Sequence, residues 1–384
     1  MKLLKKQFLI KEYLMPKPKK IYILSGGTGG HVFPAKIVAE EFISHGVEVV
    51  WIGTSRGPEH GIAKNLRIKF IQLPLSGFRG KSSLTKIKAM LAFFYTGLFL
   101  IFKIWPFKQK NKEEVPLVAF GGYVSLAAFF YFRGPVYLQE QNTIPGSVSR
   151  LLVSTKKVKK VFCGFEQTIN YFKKTTNEDI KFILSGNPIE KKISDISLKT
   201  FDNLADENDL SLKILVLGGS QGSKKLNELI PSISNDLGDI LITHQTGKGN
   251  LSNTKELYEK ENFLNFEILE FIEDMSKVYE WADVVISRSG ALSVTEIMGS
   301  ASVGIFVPLP WAIDNHQLYN AKQLTDRKAA FIIEESDTMN EDFICLFKNI
   351  RQQKLENKFN LIKNNSLNCF INQSEKIIFQ EITN

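Results

Sequence analysis

From residue 19 onward, short apolar runs alternate with longer stretches that have the spacing of amphipathic helices. The first half contains seven runs typical of buried strands, at 21–24, 47–53, 69–73, 117–120, 136–139, 158–163 and 182–184. A second series starts afresh with six, at 212–217, 240–244, 266–269, 284–287, 303–307 and 330–333. Strands that alternate with helices predict parallel sheets covered by helices on both faces.

The two series predict an α/β protein with two Rossmann-like, doubly wound domains that face each other across a cleft. The length of 384 residues suits this division, since a domain typically holds about 100 to 200 residues. We expect a basic extension, an N-terminal domain, a C-terminal domain and a last helix that packs back on the N-terminal domain, at 1–18, 19–189, 190–365 and 366–384. The polar stretch 191–213 is interpreted as a linker or covering loop.

Both series open with a strand that runs into a glycine-rich turn. The first turn reads SGGTGGH at 25–31, and the second reads GGSQGS at 218–223. In parallel sheets, ligands bind where strand carboxyl ends meet helix N-termini, because unpaired N–H groups there attract anions. The pattern therefore predicts a phosphorylated ligand, or a ligand and its acceptor, between the two edges.

The first turn does not match the fingerprints of two common nucleotide-binding proteins. Gly27 and Gly29 begin a GxGxxG pattern, but its third glycine position holds Val32. The second strand ends in WIGT and lacks the acid that would hold a ribose, and no GxxxxGK[ST] sequence occurs. These departures argue against an NAD enzyme and against a P-loop nucleotidase.

The residues of the first turn instead suit sugar or pyrophosphate chemistry. Thr28 can donate a hydroxyl hydrogen, and the glycines allow a ligand to approach the backbone closely. His31 lies at the start of the following helix, where an imidazole can act as a general base on an incoming hydroxyl. The alternative is a structural histidine that is hydrogen-bonded to the opposite loop.

Two segments of the second half carry further polar groups next to strand ends. SRSGALSVTE at 287–296 supplies small hydroxyls at a helix start, and Glu296 can accept two hydrogen bonds from a ribose diol. Glu296 can equally be a capping acid that stabilises the helix dipole. The segment 307–321 carries a polar set that suits sugar hydroxyls or, alternatively, a solvated helix start: Asp314, His316, Gln317 and Asn320.

Charge and cysteine content narrow the class of partner. The net charge of +9 favours anionic partners. No nucleic-acid-binding module is present in the sequence, so we expect no nucleic-acid partner. Three widely spaced cysteines suit a reducing compartment and argue against zinc or disulfides.

The segment 79–112 has an aromatic, apolar centre with basic flanks, and its uncharged part, 89–102, is shorter than the roughly 20 residues of a spanning helix. It predicts a helix that lies on an anionic membrane surface, or else a buried core helix.

These motifs, in this order, resemble the MurG family of inverting GT-B glycosyltransferases over 19–333. Members of that family transfer N-acetylglucosamine from UDP-GlcNAc to lipid I (undecaprenyl-pyrophosphoryl-MurNAc-pentapeptide) and so form lipid II. The matching motifs are GGTGGHVFPA, LSGFRGK, FGGYVS, EQNTIPG, GNP, LGGSQGS, HQTGK, FIEDM, WADVVISRSGALSVTE and VPLP followed by DNHQLYNA.

The resemblance implies a set of site residues and a location. His31 is implied as the acid/base candidate, Ile272 as a uracil contact, Gln317 as a sugar contact, and 291–296 as phosphate and ribose contacts. The full implied donor-binding set is Thr28, Gly29, Gly30, Asn142, Ser220, Ile272, Ala291, Leu292, Ser293, Val294, Thr295, Glu296 and Gln317. The resemblance further implies a peripheral enzyme on the cytoplasmic face of the bacterial membrane, with no cofactor and no essential metal.

The chain departs from the pattern of the family in three places. Glu190, separated from GNP by one residue, stands where the family usually has arginine, and Lys191 or Lys192 can compensate for the missing positive charge. Gln139 replaces a histidine, and Leu126 with Ala127 replace glycine and proline. Alternatives to the lipid I transferase are a UDP-sugar 2-epimerase, a diacylglycerol glucosyltransferase, and a non-catalytic membrane adaptor that binds UDP-sugar.

Overall fold

Two parallel β-sheets organise the computed structural model, which describes residues 17–55, 57–75, 95–97, 114–176, 180–196, 211–219, 221–356 and 358–384. The first sheet has seven strands in the order β3-β2-β1-β4-β5-β6-β7, and every neighbouring pair is parallel. Its strands are β1 (Lys20–Leu24), β2 (Glu48–Gly53), β3 (Lys69–Gln72), β4 (Leu117–Ala119), β5 (Val136–Glu140), β6 (Lys160–Cys163) and β7 (Lys181–Leu184).

The second sheet repeats this plan with six parallel strands in the order β10-β9-β8-β11-β12-β13. Its strands are β8 (Leu212–Leu217), β9 (Ile240–Gln245), β10 (Phe266–Leu269), β11 (Val284–Ser287), β12 (Val303–Phe306) and β13 (Ala330–Ile332). Each strand predicted from the sequence is present, with ends within two residues of the predicted ones. The expected pair of doubly wound sheets is therefore confirmed.

Helices connect the strands on both faces of each sheet. In the first half they are α1 (Gly29–Ser44), α2 (Glu59–Asn65), α3 (Ser147–Ser154) and α4 (Glu166–Thr175), with a 3₁₀ helix at Tyr123–Phe130. In the second half they are α5 (Lys191–Ser194), α6 (Lys224–Ile233), α7 (Leu251–Lys260), α8 (Met275–Trp281), α9 (Ala291–Ser300), α10 (His316–Thr325), α11 (Met339–Leu355), α12 (Phe359–Cys369) and α13 (Ser374–Thr383).

Alternating side chains divide each sheet between two apolar layers. In β1, Ile21 and Ile23 pack on the α1 face, whereas Tyr22 and Leu24 pack on the opposite face. The alternation repeats in β8. Ile214 packs in one apolar layer, and the residues that alternate with it pack in the layer on the opposite face of the sheet. Both faces of both sheets are buried, as is usual for parallel sheets. Packing on both faces holds in place the strand ends from which the glycine turns lead.

The last helix packs against the first sheet, although it follows the second in the chain. Phe379 of α13 lies edge-on to Phe42 of α1, with ring centroids 5.0 Å apart. Ile378 and Ile382 join the same apolar layer. The predicted start of this element at residue 366 is wrong, because α12 continues unbroken to Cys369 and α13 begins at Ser374.

Part of the stretch interpreted as a linker belongs to the second core. Ile193 and Ile196 are 1% and 5% exposed and pack with residues of β8 and α9. The interpretation is therefore wrong for 191–196, because a short helix there places apolar side chains against the second sheet. Residues 197–210 lie outside the described residues, as do residues 1–16 of the predicted N-terminal extension.

The predicted membrane-surface segment 79–112 also lies outside the described residues, apart from 95–97. Within those three, Tyr95 is 60% exposed and Thr96 is buried. Among the residues that the structure describes, no helix has the length and apolarity needed to cross a bilayer.

Candidate functional site

The buried carboxylate of Glu59 is hydrogen-bonded to the first glycine turn. Glu59 is fully buried, and its Oε1 accepts hydrogen bonds from the Gly27 N–H at 3.2 Å and from the Thr54 hydroxyl at 2.7 Å. The turn then opens outward, because Thr28 is exposed and the space beside the Cα of Gly30 is empty. No local pattern identifies Glu59 as a partner of this turn, since its carboxylate comes from 32 residues further along the chain.

His31 lies in the first turn of α1 and faces the end of β4. Gly121 and Gly122 adopt φ values of +74° and +67°, and a Cβ on Gly122 would come within 3.0 Å of the His31 ring. Glycine is therefore required there both for its left-handed backbone and for space. On its other side, His31 Nδ1 lies 3.0 Å from Gln141 Oε1. The ring is thus clamped between two loops of the first half.

Asn142 lies where the two halves of the molecule meet. Asn320 of α10 donates from Nδ2 to Asn142 Oδ1 at 3.1 Å, and its own Oδ1 accepts from the Thr143 N–H at 2.9 Å. The Asn142 main-chain N–H and side-chain amide both donate to Glu140 Oε1. The polar atoms of Asn142 are engaged within the protein, and they join the loop after β5 to the helix after β12.

The second glycine turn is packed closely against its own neighbours. A Cβ on Gly222 would lie 2.0 Å from the Thr246 carbonyl oxygen, so this turn and the HQTGK loop pack backbone to backbone. Gln245 joins the turn to the FIEDM segment, since its amide donates to the Gly219 carbonyl and accepts from the Ile272 N–H. Ser220, a predicted donor-binding residue, lies outside the described residues.

Ile272, expected to contact uracil, is only 5% exposed, and its side chain packs in the core of the second half. Its neighbour Phe271 is 62% exposed. The apolar surface that this segment offers to a ligand is therefore the Phe271 ring, whereas Ile272 anchors the segment.

An uncapped helix start follows β11. Gly290 precedes α9 without a side-chain cap, so the first N–H groups of the helix have no partner within it. Just before it, the hydroxyls of Ser287 and Ser289 are buried and lack hydrogen-bond partners. Free N–H groups, the positive end of a helix dipole and unpaired hydroxyls are the features to which anions bind at helix starts.

The first five of the six predicted residues of α9 divide into two groups. Ala291, Leu292 and Ser293 form the uncapped first turn. By contrast, Val294 is fully buried and its N–H donates to the Gly290 carbonyl. Thr295 donates to the Ala291 carbonyl and accepts from Asn187, so its hydroxyl also faces the protein.

Glu296 follows one turn later on the same helix. Burial, with a smaller contribution from Glu190, raises the pKa of its carboxyl to about 7, although the Tyr279 hydroxyl opposes this by donating to Oε2 at 3.0 Å. Burial also raises the pKa of Tyr279, which therefore remains a hydrogen-bond donor at neutral pH. One carboxylate oxygen is thus fixed by Tyr279, which sequence reasoning missed because it lies on another helix.

Gln317 faces the same edge from the start of α10. Its Oε1 accepts from the Leu309 N–H at 2.9 Å, which orients the NH₂ group as the donor toward any ligand. Nearby, Asp314 forms a 2.7 Å ion pair with Arg150 of the first half. The polar set predicted here is therefore split between ligand-facing groups and contacts between the halves.

Glu190, the departure from the arginine pattern, is exposed and forms a 3.2 Å ion pair with Lys36 of α1. Of the two lysines proposed to compensate, Lys192 acts on Asp274 of the FIEDM segment, whose pKa is lowered first by Ser276 and then by Lys192. Compensation by either lysine at a donor phosphate stays a prediction. Within the described ranges, no three acidic, histidine or cysteine side chains cluster as a metal ion would require.

Comparisons with known proteins show which family the chain resembles. The model of the glycosyltransferase family 28 N-terminal domain matches residues 21–162, and that of the family 28 C-terminal domain matches 213–378. A UDP-N-acetylglucosamine–N-acetylmuramyl-(pentapeptide) pyrophosphoryl-undecaprenol N-acetylglucosamine transferase of Vesicomyosocius okutanii is 35% identical over 342 residues, 88% of this chain and 91% of that protein. The protein of the same name from Sulfurihydrogenibium sp. is 35% identical over 369 residues, 92% and 99% of the two chains.

Solved structures give the same result. The crystal structure of Acinetobacter baumannii MurG superposes with a TM-score of 0.73 at 30% identity, and covers 95% of this chain and 99% of that one. A UDP-GlcNAc 2-epimerase from Neisseria meningitidis superposes at 0.63 with 13% identity, over 94% and 98% of the chains. At that identity, the second likeness concerns the fold alone.

Proposed function

The chain belongs to glycosyltransferase family 28, and on that premise we propose that it transfers N-acetylglucosamine from UDP-GlcNAc to lipid I to form lipid II. One observation carries the proposal: the uncapped start of α9 beside two buried, unpaired serine hydroxyls, with Glu296 one turn further on. This arrangement suits a nucleoside diphosphate, because the helix start binds the diphosphate and the carboxylate accepts from a ribose diol.

The two halves divide the substrates between them. The donor lies along the second half, with its uracil near Phe271, its diphosphate at the first turn of α9 and its sugar near the Gln317 amide. Thr28, Gly29 and Gly30 form the opposite wall, where the exposed glycine turn receives the acceptor and the donor sugar. Asn142 and Asn320 hold the two walls together.

In the reaction, the acceptor hydroxyl attacks the anomeric carbon of N-acetylglucosamine. His31 Nε2 takes the hydroxyl proton as the new carbon–oxygen bond forms, and the bond from that carbon to the UDP oxygen breaks with inversion. Negative charge then develops on the departing diphosphate. The free N–H groups and dipole of α9 stabilise this charge at the point where it appears.

The lipid acceptor requires contact with a membrane surface, and we propose a peripheral position on the cytoplasmic face. Phe132 is 60% exposed, and Lys157 Nζ lies 4.0 Å from the centre of its ring. An exposed aromatic ring beside a lysine suits the boundary between anionic headgroups and acyl chains.

A transfer assay tests the proposal. Purified protein is incubated with radiolabelled UDP-GlcNAc and a lipid I analogue, and the lipid phase is examined for label. We expect labelled product with lipid I and none with diacylglycerol. Label on diacylglycerol in a parallel incubation with radiolabelled UDP-glucose would favour a diacylglycerol glucosyltransferase. Conversion of free UDP-GlcNAc to another UDP-sugar would favour a 2-epimerase, and donor binding without any reaction would favour a non-catalytic adaptor.

A further inference from the structure

A continuous row of buried side-chain amides joins α9 of the second half to His31. Thr295 Oγ1 accepts from Asn187 Nδ2 at 3.1 Å, and Asn187 Oδ1 accepts from Gln139 Nε2 at 2.9 Å. Gln139 Oε1 accepts from Gln141 Nε2, and Gln141 Oε1 lies 3.0 Å from His31 Nδ1. The three amide side chains are at most 2% exposed, so water cannot replace their partners.

Backbone carbonyls fix the direction of this row. Asn187 Nδ2 also donates to the Gln141 main-chain carbonyl at 3.1 Å, and Gln141 Nε2 also donates to the Phe120 carbonyl at 3.0 Å. A carbonyl oxygen only accepts, so each amide must present its NH₂ group there and its oxygen on the other side. Flipping either amide would place two acceptors against each other in a buried site.

This direction determines which nitrogen of the neutral His31 ring carries the proton. Gln141 Oε1 has no hydrogen to donate, so the 3.0 Å contact is a hydrogen bond only if Nδ1 is protonated. Nε2 is then left with a free lone pair, which is the state that a general base needs.

We propose that Gln141, Gln139 and Asn187 are positioning residues that hold His31 in the tautomer with a free Nε2. This role rests on the proposed function, in which His31 takes the acceptor proton. Through Thr295, the row also begins on the helix that is proposed to bind the donor diphosphate. The tautomer of the base is therefore set by groups from both halves of the molecule.

The family departure at Gln139 follows the same logic. A neutral imidazole, like an amide, offers one donor and one acceptor, so either side chain can accept from Gln141 and donate to Asn187. Leucine offers neither, and glutamate offers no donor for Asn187 Oδ1. Gln139→His should therefore preserve the row, whereas Gln139→Leu and Gln139→Glu should break it.

His244 supplies an internal reference with the opposite tautomer. Asn227 donates its amide hydrogen to the Thr246 carbonyl, so its Oδ1 accepts from His244 Nε2 at 3.1 Å. His244 Nδ1 then accepts from the Tyr258 hydroxyl at 2.9 Å. Burial lowers the pKa of His244 to about 3, so this ring stays neutral and unchanged across the working pH range.

Long-range ¹H–¹⁵N spectra of the full chain, labelled with ¹⁵N-histidine, report the tautomer directly. The chain has five histidines, and the His31→Ala variant assigns the His31 signals by their loss. At about pH 8.5, above the range in which imidazoles ordinarily titrate, we expect a protonated Nδ1 for His31 and a protonated Nε2 for His244. A protonated Nε2 at His31 in the unaltered protein would overturn the proposal without any variant.

The variants then test each link. Gln141→Leu and Gln139→Leu should shift the His31 signals toward a protonated Nε2, while Gln139→His should leave them in place. His244 signals should stay fixed throughout, which shows that the fold is intact. If His31 keeps its protonated Nδ1 in Gln141→Leu, the proposed control by this row is wrong.

Turnover measurements separate this proposal from the proposed function. Both leucine variants should lower kcat at least tenfold, with KM for UDP-GlcNAc within twofold, and Gln139→His should restore kcat. A shifted tautomer with unchanged kcat would overturn the positioning role. Absence of transfer by the unaltered protein would refute the proposed function, while the spectra would still decide the tautomer.

Discussion

The two halves of the molecule share the order of six strands, to which the first half adds β7, but they differ at the loop that follows β4 in one and β11 in the other. After β4 in the first half, two left-handed glycines make room for the His31 ring. After β11 in the second half, the chain passes directly into α9, whose first N–H groups are uncapped. The same topology thus presents a titratable ring on one side of the cleft and fixed dipoles on the other.

The glycine turns are supported differently. The first is held by the buried Glu59 and is exposed at Thr28, whereas the second packs at Gly222 against the HQTGK loop and is exposed at Gly219. Both turns keep an exposed glycine at a strand end, so the contrast between the halves lies in the groups that follow β4 and β11. If this contrast is correct, changes in the first half should affect turnover, and changes in the second should affect donor binding.

The largest effect is expected for His31→Ala. Loss of a general base should lower kcat about 10²- to 10⁴-fold, whereas the donor, held by the second half, should keep its affinity within about twofold. Initial rates with the lipid I analogue and calorimetric titration with UDP-GlcNAc measure the two quantities.

His45→Ala is the matched control, because His45 lies at the opposite end of α1, about 21 Å along the helix axis. Its kcat should remain that of the unaltered protein. If His31→Ala weakened donor binding and left kcat unchanged, the division between the two halves would be reversed.

Glu296→Gln tests the other side of the cleft. Replacing the carboxylate removes charge-assisted hydrogen bonds to the ribose, so the Kd for UDP-GlcNAc should rise about ten- to a hundredfold. Calorimetric titration of the variant measures the loss. Glu228→Gln, an exposed position on α6, controls for the loss of one charge. An unaltered affinity in Glu296→Gln would leave Glu296 with a structural role only.

Much of the fold was accessible from the sequence because parallel strands have a local signal. A short apolar run followed by glycine identifies β1 and β8 without knowledge of their neighbours. The linker interpretation was wrong for 191–196, however, because Ile193 and Ile196 are isolated apolar residues in a polar stretch. Their burial depends on α9, about 100 residues away, and no local period reports it.

The site was predictable only in part for the same reason. His31 and Glu296 follow strand ends, which the pattern of residues marks. Gln141 and Asn187 lie in the EQNTIPG and GNP motifs, but their role depends on contacts with His31 and Thr295, which are 110 and 108 residues away in the chain. The role of such groups depends on which atoms they face, and that is decided by tertiary packing.

The pH dependence of donor binding sharpens the assignment of Glu296. Burial raises the pKa of its carboxyl to about 7 in the free protein, and the ionised form is the better acceptor for a ribose diol. Affinity should therefore be lost as pH falls through about 7, with Kd rising about tenfold between pH 8 and pH 6. The Glu296→Gln variant should show a flat profile. A flat profile in the unaltered protein would contradict the assignment.

The smallest effect concerns the ion pair between the halves at Glu190. Glu190 raises the pKa of Glu296 in addition to the effect of burial, so Glu190→Gln should shift the midpoint of the donor-binding profile to lower pH. Because Glu190 is 54% exposed, solvent screens this interaction, and we expect a shift below about half a pH unit.

The direction of this shift distinguishes the ion pair from a purely structural contact. Loss of the Lys36 contact alone would loosen the two halves without moving the midpoint, whereas loss of the Glu190 charge should move it. The shift should shrink in about 1 M salt, where charges beyond about 3 Å are screened. Glu48→Gln, which removes a charge from the exposed Lys20 ion pair, should leave the midpoint unchanged. An equal shift in both variants would mean that net charge, and not the position of Glu190, governs Glu296.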